Sequence, residues 1–387
     1  MRSNVVSTLA IPRMTGTLPP RNSGLVREFL ILAVLLASFV SREEVFISLA
    51  VVFVLIEIFF RRNNLKNITR TEYGILSTYV GVLVLILPVS ASRAPTALWH
   101  FVVAVSGMLY SLVVIRNPQI YLKAVRYTLI VYQVVLLGVI SQNGFFNHPF
   151  EDLVGEGSAN GITSYLIAVQ SAYFVAKISV SGTPSIFTNV ASVYLCLAGY
   201  NRGSIVASFA LFLLSVISIV QRSIGGRRYL VVLILFIVAG IIGVGGFVDD
   251  AGVFLSSNTK LSQGLYDDSR AEINRQYLQS LNFGRFIAGS DYKDTIIETH
   301  FFRNPHNSFI RAHYIFGILY LMVVLAIPII VAFKSGLPIG VVILGVIGIF
   351  VMLFRASTEP IIFPTVLDVF YYGSCFILLH SRGRNNW

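Results

Sequence analysis

The sequence predicts an all-α, polytopic membrane protein, and three observations carry that expectation. First, of 387 residues 55% are hydrophobic and only 12% charged, with a mean hydropathy of +0.77; a soluble chain carries about twice that charged fraction. Second, the apolar residues come in uninterrupted runs long enough for a helix to cross a bilayer, which takes about 20 residues. Third, the basic residues are distributed unevenly between alternate loops, as the positive-inside rule requires of a spanning chain. A net charge of +11 would suggest nucleic acid in a soluble protein. Here it orders the topology, and no nucleic-acid partner is expected.

The chain opens on a tail, 1–23, with arginines, several prolines and no acids. Its apolar patches are too short and broken for a signal-peptide core, so a disordered cytoplasmic tail and an uncleaved first helix are expected. Twelve spans follow, at 24–40, 45–60, 73–90, 97–115, 127–140, 162–179, 185–200, 204–220, 229–247, 308–333, 337–354 and 365–380. These group into nine helices over 24–247, a long loop at 248–305, three helices over 306–380, and a short tail at 381–387. With both termini in the cytoplasm, most of the 29 Lys and Arg residues fall inside. The short outer loops then keep only Arg42, Arg93, Arg202 and Arg355, with Arg311 at a span entrance. Glu57 and Arg61, and likewise Arg355 and Glu359, stand four residues apart, and simple helical ion pairs account for both. Cys196 and Cys375 lie inside apolar runs and form no zinc or disulfide framework. Nor do His300, His306 and His313 have the spacing of a metal site, so no metal or cofactor is expected. Asp249-Asp250 and Asp267-Asp268 read as solvated loop acids, and GIIGVGG at 240–246 reads as helix packing within a span.

Three features of the outer face depart from plain lipid-facing helix. GYNRGS, 199–204, leaves almost no loop between two apolar runs. Arg202 therefore sits on a tight hairpin, with Ser204 able to cap the descending helix. It can serve lipid phosphate or a specific anion. DDSRAEINRQYLQSLNFG lies in the long loop and reads as an amphipathic helix near 269–283. Ser269 and Glu272 have capping-box spacing, and Gly284 offers an end. At about 100° per residue, Tyr277 and Leu281 fall about 20° on either side of Arg270 and Ile273 about 60° away, while Arg275 is displaced by about 140°. Arg270 thus shares the apolar face and points inward, as an ion-pair member or as a ligand contact. Finally, RNPHNS runs into a span. Asn304-Pro305 suits a helix start, which would place His306 and Asn307 in the first turn. A neutral imidazole beside an anion at a helix N-terminus suits proton acceptance; an ordinary interfacial histidine fits the same pattern.

Taken together, NRGSIVASFALFLL, DDSRAEINRQYL and PHNSFIRAHYIFGILYL resemble the O-antigen ligase and Wzy-type polysaccharide polymerase superfamily. The resemblance covers about 190–330; Asn201 stands where the family usually has Ser. It implies a metal-independent glycosyltransferase of the integral-membrane C-type fold (GT-C) in the bacterial inner membrane. Such an enzyme uses an undecaprenyl-diphosphate-linked glycan on the periplasmic face, with a glycan or lipid A core as acceptor and a chain-length regulator as a further partner. On this resemblance Arg202 and Arg270 hold the diphosphate and His306 contacts the acceptor hydroxyl or the leaving group. Asn307 orients, while Tyr277, Arg303 and Asn201 contact substrate. A polymerase is expected, with a ligase and an anion transporter or flippase as alternatives. The transporter would place charge at mid-bilayer, whereas the charge here gathers at the boundary.

Overall fold

The computed structural model describes residues 23–145, 148–151, 153, 159–222, 268–301 and 303–380. The expected tails (Ser23 apart), the ninth span 229–247 and Asp249, Asp250 and Asp267 lie outside them. Every regular element among the described residues is helical. The helices are α1 (Ser23–Ser41), α2 (Glu44–Phe60), α3 (Arg70–Arg93), α4 (Ala97–Val114), α5 (Pro118–Asn143), α6 (Ala159–Val180), α7 (Ile186–Ala198) and α8 (Arg202–Arg222), then α9 (Asp268–Gln279), α10 (Phe283–Ala288) and α11 (Ile296–Thr299) of the long loop, and finally α12 (Ser308–Lys334), α13 (Ile339–Ala356) and α14 (Asp368–His380).

Among these, 7 helices are long and apolar enough to cross a membrane: α1, α3, α4, α5, α8, α12 and α13. The remaining expected spans within the described residues also fold as helices, but differently. At 17, 13 and 13 residues, α2, α7 and α14 are shorter. α6 has 22 residues but buries Thr163, Ser164, Gln170 and Ser171. It is the axis of the bundle, packed on α5, α8, α13 and α14, so its polar groups meet protein rather than lipid. Gln170 Nε2 donates to Asn189 Oδ1 on α7 at 2.7 Å.

Helix starts explain the shifted boundaries. α5 begins nine residues before the expected 127, because Asn117 accepts the Ile120 amide at 3.2 Å and Pro118 takes the first position. Lys123 and Arg126 therefore sit on the exposed side of a helix, not in a loop. At α3 a full capping box forms, with Thr69 and Glu72 each accepting the other's amide, at 3.3 and 2.8 Å. α9 departs from its expected box. The helix starts at Asp268, so Ser269 is already inside it, and Glu272 turns to accept from Arg275 Nε at 2.7 Å. It also ends earlier, at Gln279; Gly284 lies within α10, whose cap is Asn282.

Candidate functional site

α1, α3, α6, α8, α12, α13 and α14 all carry a terminus to one end of the bundle, and a cavity of about 620 Å³ opens there. Phe39, Arg42 and Ile47 from the α1–α2 turn form one wall, with Gly161 and Tyr165 of α6. His300, Phe301, residues 303–306 and Glu359–Ile361 form the other, with Arg311 of α12. Gly161 leaves room for both polar side chains: a Cβ there would sit 2.7 Å from the Tyr165 hydroxyl and 3.0 Å from Arg42 Nη2, and they would have to shift.

Glu359 is the centre of the polar wall. It is 4% exposed. Its Oε1 accepts from Arg270 Nη2 at 2.9 Å and lies 3.8 Å from Arg355 Nη2; its Oε2 lies 3.8 Å from His306 Nδ1. Burial pushes the Glu359 carboxyl up, but the His306 imidazole and the Arg355 and Arg270 guanidiniums outweigh it and hold the group below the usual carboxylate range. Arg355 is fully buried. Its Nε donates to Ser204 Oγ at 2.9 Å, and its Nη1 donates to Thr358 Oγ1. It packs so closely on Gly203 that a Cβ there would meet Nη1 at 3.0 Å. Ser308 Oγ donates to the Glu359 carbonyl at 2.8 Å and accepts the Ile362 amide at 3.2 Å, tying this wall to the start of α12.

The sequence-derived residues separate into groups. His306 and Arg303 line the cavity, and Arg270 reaches it through Glu359. The inward reading of Arg270 from the helical wheel agrees with its placement, since Ile273 and Tyr277 on the same face are buried while the Arg275 side chain is 57% exposed. Arg303 donates to Glu298 at 3.1 Å. His306 and Asn307 are not in a first turn: His306 has φ 48°, and Asn307 is the cap, accepting the Phe309 and Ile310 amides at 2.8 and 3.3 Å. Asn304 instead accepts the His306 amide at 3.0 Å, a local turn that competes with helix.

Arg202 begins α8 beside Gly203, half-buried and outside the cavity lining. Asn201 is buried and serves α8: its Oδ1 accepts the Ser204 amide at 3.3 Å, and its Nδ2 donates to the Asn160 carbonyl at 3.1 Å. Asn201, not Ser204, is therefore the cap, which leaves the Ser204 hydroxyl for Arg355. Tyr277 is also buried, in a small cluster with Ile273, Tyr292, Ile297 and Ile310, its hydroxyl 2.7 Å from His313 Nδ1. Neither Asn201 nor Tyr277 is among the residues that line the cavity.

Sequence reasoning passed over Glu359, Arg311, Arg42 and Tyr165. Arg311 Nη2 donates to the Pro364 carbonyl at 3.1 Å, while its Nε is buried without a partner. No carboxylate among the described residues lies within ion-pair distance of it. Among the described residues no group of three or more His, Cys, Asp or Glu side chains could hold a metal. Such a cavity, with cations in excess over its one buried acid, suits an anionic ligand. No protein-family model, curated protein or solved structure matches this chain.

Proposed function

We propose that the chain is an integral-membrane glycosyltransferase that polymerises undecaprenyl-diphosphate-linked oligosaccharide units into a polysaccharide. In this reading twelve spans form a GT-C-like bundle in a bacterial inner membrane, both termini are cytoplasmic, and the cavity opens on the periplasmic face. The observation that carries it is Arg311, a cation in the cavity wall whose coupled acid, the buried Asp368, lies beyond ion-pair distance, and which is flanked there by Arg42 and Arg303. A half-buried guanidinium with no acid in direct contact favours an anion beside it, and a lipid diphosphate supplies one at the membrane edge while its polyprenyl tail stays in the bilayer.

The chemistry follows. The acceptor hydroxyl oxygen forms a bond to the anomeric carbon of the donor sugar. The bond from that carbon to the diphosphate oxygen breaks, and negative charge develops on the leaving diphosphate. Arg311 and Arg42 neutralise it, with Arg270 and Arg202 behind them; guanidinium geometry matches phosphate oxygens. His306 accepts the hydroxyl proton, and Glu359 holds the imidazole in place.

The test is a membrane assay supplied with lipid-linked repeat unit alone. Chain growth without any lipid A core supports the polymerase. Product only with added core makes the chain a ligase, and uptake with no new glycosidic bond makes it a transporter. Arg270→Ala and His306→Ala should each lower transfer about 10²–10³-fold, the usual cost of losing one charge-stabilising group, and Arg202→Ala, outside the cavity lining, should lower it less. Full activity in all three would overturn the site.

A further inference from the structure

Among the described residues, the loop helix α10, Phe283–Ala288, has no apolar cover on its outer side. Phe283 is 82% exposed, Phe286 43% and Ile287 37%, and Leu278 at the end of α9 is 64% exposed. Four large apolar side chains on a single loop are unusual for a surface facing water. The opposite side of α10 is fastened to the bundle. It packs on α12 and α3. Gly317 breaks the α12 helix, at φ 72° and ψ −173°, and a side chain there would overlap the Ile287 carbonyl. Gly289, at φ 95°, lies against the His313 carbonyl in the same way. These two positions need glycine, both for backbone conformation and for closeness. Arg93, the last residue of α3, donates to the Ala288 carbonyl at 2.7 Å, to the Ile315 carbonyl at 3.3 Å and to the Gly289 carbonyl. His313 donates from Nε2 to the Phe286 carbonyl at 2.8 Å and accepts the Tyr277 hydroxyl on Nδ1, so it fixes both α10 and α9.

The depth of this contact can be read from helix length. Below its break α12 runs from 318 to Lys334, about 25 Å at 1.5 Å per residue, against a hydrocarbon core of about 30 Å. With Lys334 at one boundary, Gly317 lies just inside the other. Arg70 and Arg93 bracket α3, about 36 Å long, in the same way. Helix α10 is therefore level with the edge of the acyl region, on a bundle flank shared with the lipid-exposed helices. Its own sequence, FGRFIA, combines two aromatic rings and an isoleucine with one arginine, the composition of an interfacial anchor.

We infer that α10 is an interfacial lipid-binding segment: Phe283, Phe286 and Ile287 insert into the leaflet at the cavity end and set the depth at which the long loop, and with it Arg270, meets the bilayer. The occupant is bilayer acyl chain, because the exposed face continues the apolar belt of α3 and α12. The inference is independent of which reaction the cavity performs.

The experiment uses the full chain with Trp99→Phe, Trp387→Phe and Phe283→Trp, reconstituted in vesicles of phosphatidylcholine brominated at shallow or deep acyl positions. Phe283 is exposed, so the new indole disturbs no packing. The expected result is blue-shifted emission, quenched at least twofold more by shallow than by deep bromines, with little quenching by aqueous acrylamide. Strong acrylamide quenching would overturn the inference in favour of water. Insensitivity to both quenchers would overturn it in favour of a second protein surface. A second variant, Phe286→Trp in the same background, should give the same pattern. Neither readout depends on glycosyl transfer, so failure here and failure of the proposed function remain separable.

Discussion

The two ends of the bundle use the same residue types to opposite effect. At the end away from the cavity, Glu28 is buried, accepts from Tyr110 at 2.6 Å and from Arg61, and shares Arg61 with Glu57; Arg27 joins Glu57 at 3.2 Å. Nearby, Glu72 takes Arg116 at 2.8 Å and His380 at 2.6 Å while capping α3. Each acid there is matched and each carboxylate is shared by several donors, so these clusters are rivets between α1, α2, α3, α4 and α14. At the other end Glu359 stands among Arg270, Arg355 and His306, Arg311 and Arg42 face a cavity beyond it, and the buried Asp368 acts on Arg311 only from beyond ion-pair distance. Balance closes one end, and a surplus of cations leaves the other ready for an anion. The lesson is that a buried arginine marks a function only where the local charge does not close.

The largest effect expected from breaking this contrast is at Glu359. Glu359→Ala leaves Arg355 and Arg270 facing each other with no acid between them. Loss of one member of a buried ion pair costs about 3–5 kcal/mol, and loss of the acid beside His306 should abolish transfer as well. Thermal unfolding in detergent and the membrane assay measure the two separately. A variant as stable as the parent would show that Glu359 is not the keystone described here.

Next comes a pair of substitutions with opposite signs. Arg61→Leu should destabilise by about 2–4 kcal/mol, because Glu28 is left buried with its main partner gone, and transfer per folded molecule should be unchanged. Arg311→Leu should do the reverse. It removes a cation with no acid in direct contact, coupled only to the more distant Asp368, so the melting temperature should hold, while transfer falls about 10²-fold. If Arg311→Leu unfolds the protein as readily as Arg61→Leu, the two ends do not differ in kind.

Much of the frame was legible in the chain because hydropathy and start signals are local. Apolar runs located the helices, and the wheel placed Arg270 inward because Ile273 and Tyr277 share its face. Caps were less legible. Asn304, Asn307, Asn201 and Ser204 all have the right chemistry, and only the three-dimensional turn decides which one takes the amides. The site itself was least legible. Arg355 and Glu359 have the spacing of an everyday surface pair, and nothing local reveals that α6, α8 and the loop bury them. Arg42 and Arg311 are separated by most of the chain, and the cavity between them exists only once α1, α6 and α12 have packed.

A smaller effect is expected at Ser204. Its hydroxyl accepts from Arg355 Nε, so Ser204→Ala leaves a buried guanidinium N–H unmatched, a cost of about 1–3 kcal/mol. Transfer should fall only as far as Arg355 lets Glu359 drift, and Ser204→Thr, which keeps the oxygen, should restore both. A Ser204→Ala protein with an unchanged melting temperature would remove α8 from the support of the site.

The smallest effect is the pH response of the same carboxyl. Its neighbours hold Glu359 below the ordinary carboxylate range, so at mildly acidic pH the unfolded chain binds the proton and the folded chain does not. The stability this contributes is complete above the unfolded value, about 4.3, and is lost as pH falls further through the folded value. Glu359→Gln cannot respond. Its melting temperature should lie below that of the parent at pH 6, and the gap should narrow as the pH is lowered beneath about 4. The carboxylates of the opposite end are present in both proteins and cancel in this difference. A gap that stays constant to pH 3 would mean that the cations around the cavity do not hold Glu359 ionised, and the contrast between a closed end and a cation-rich one would lose its electrostatic basis.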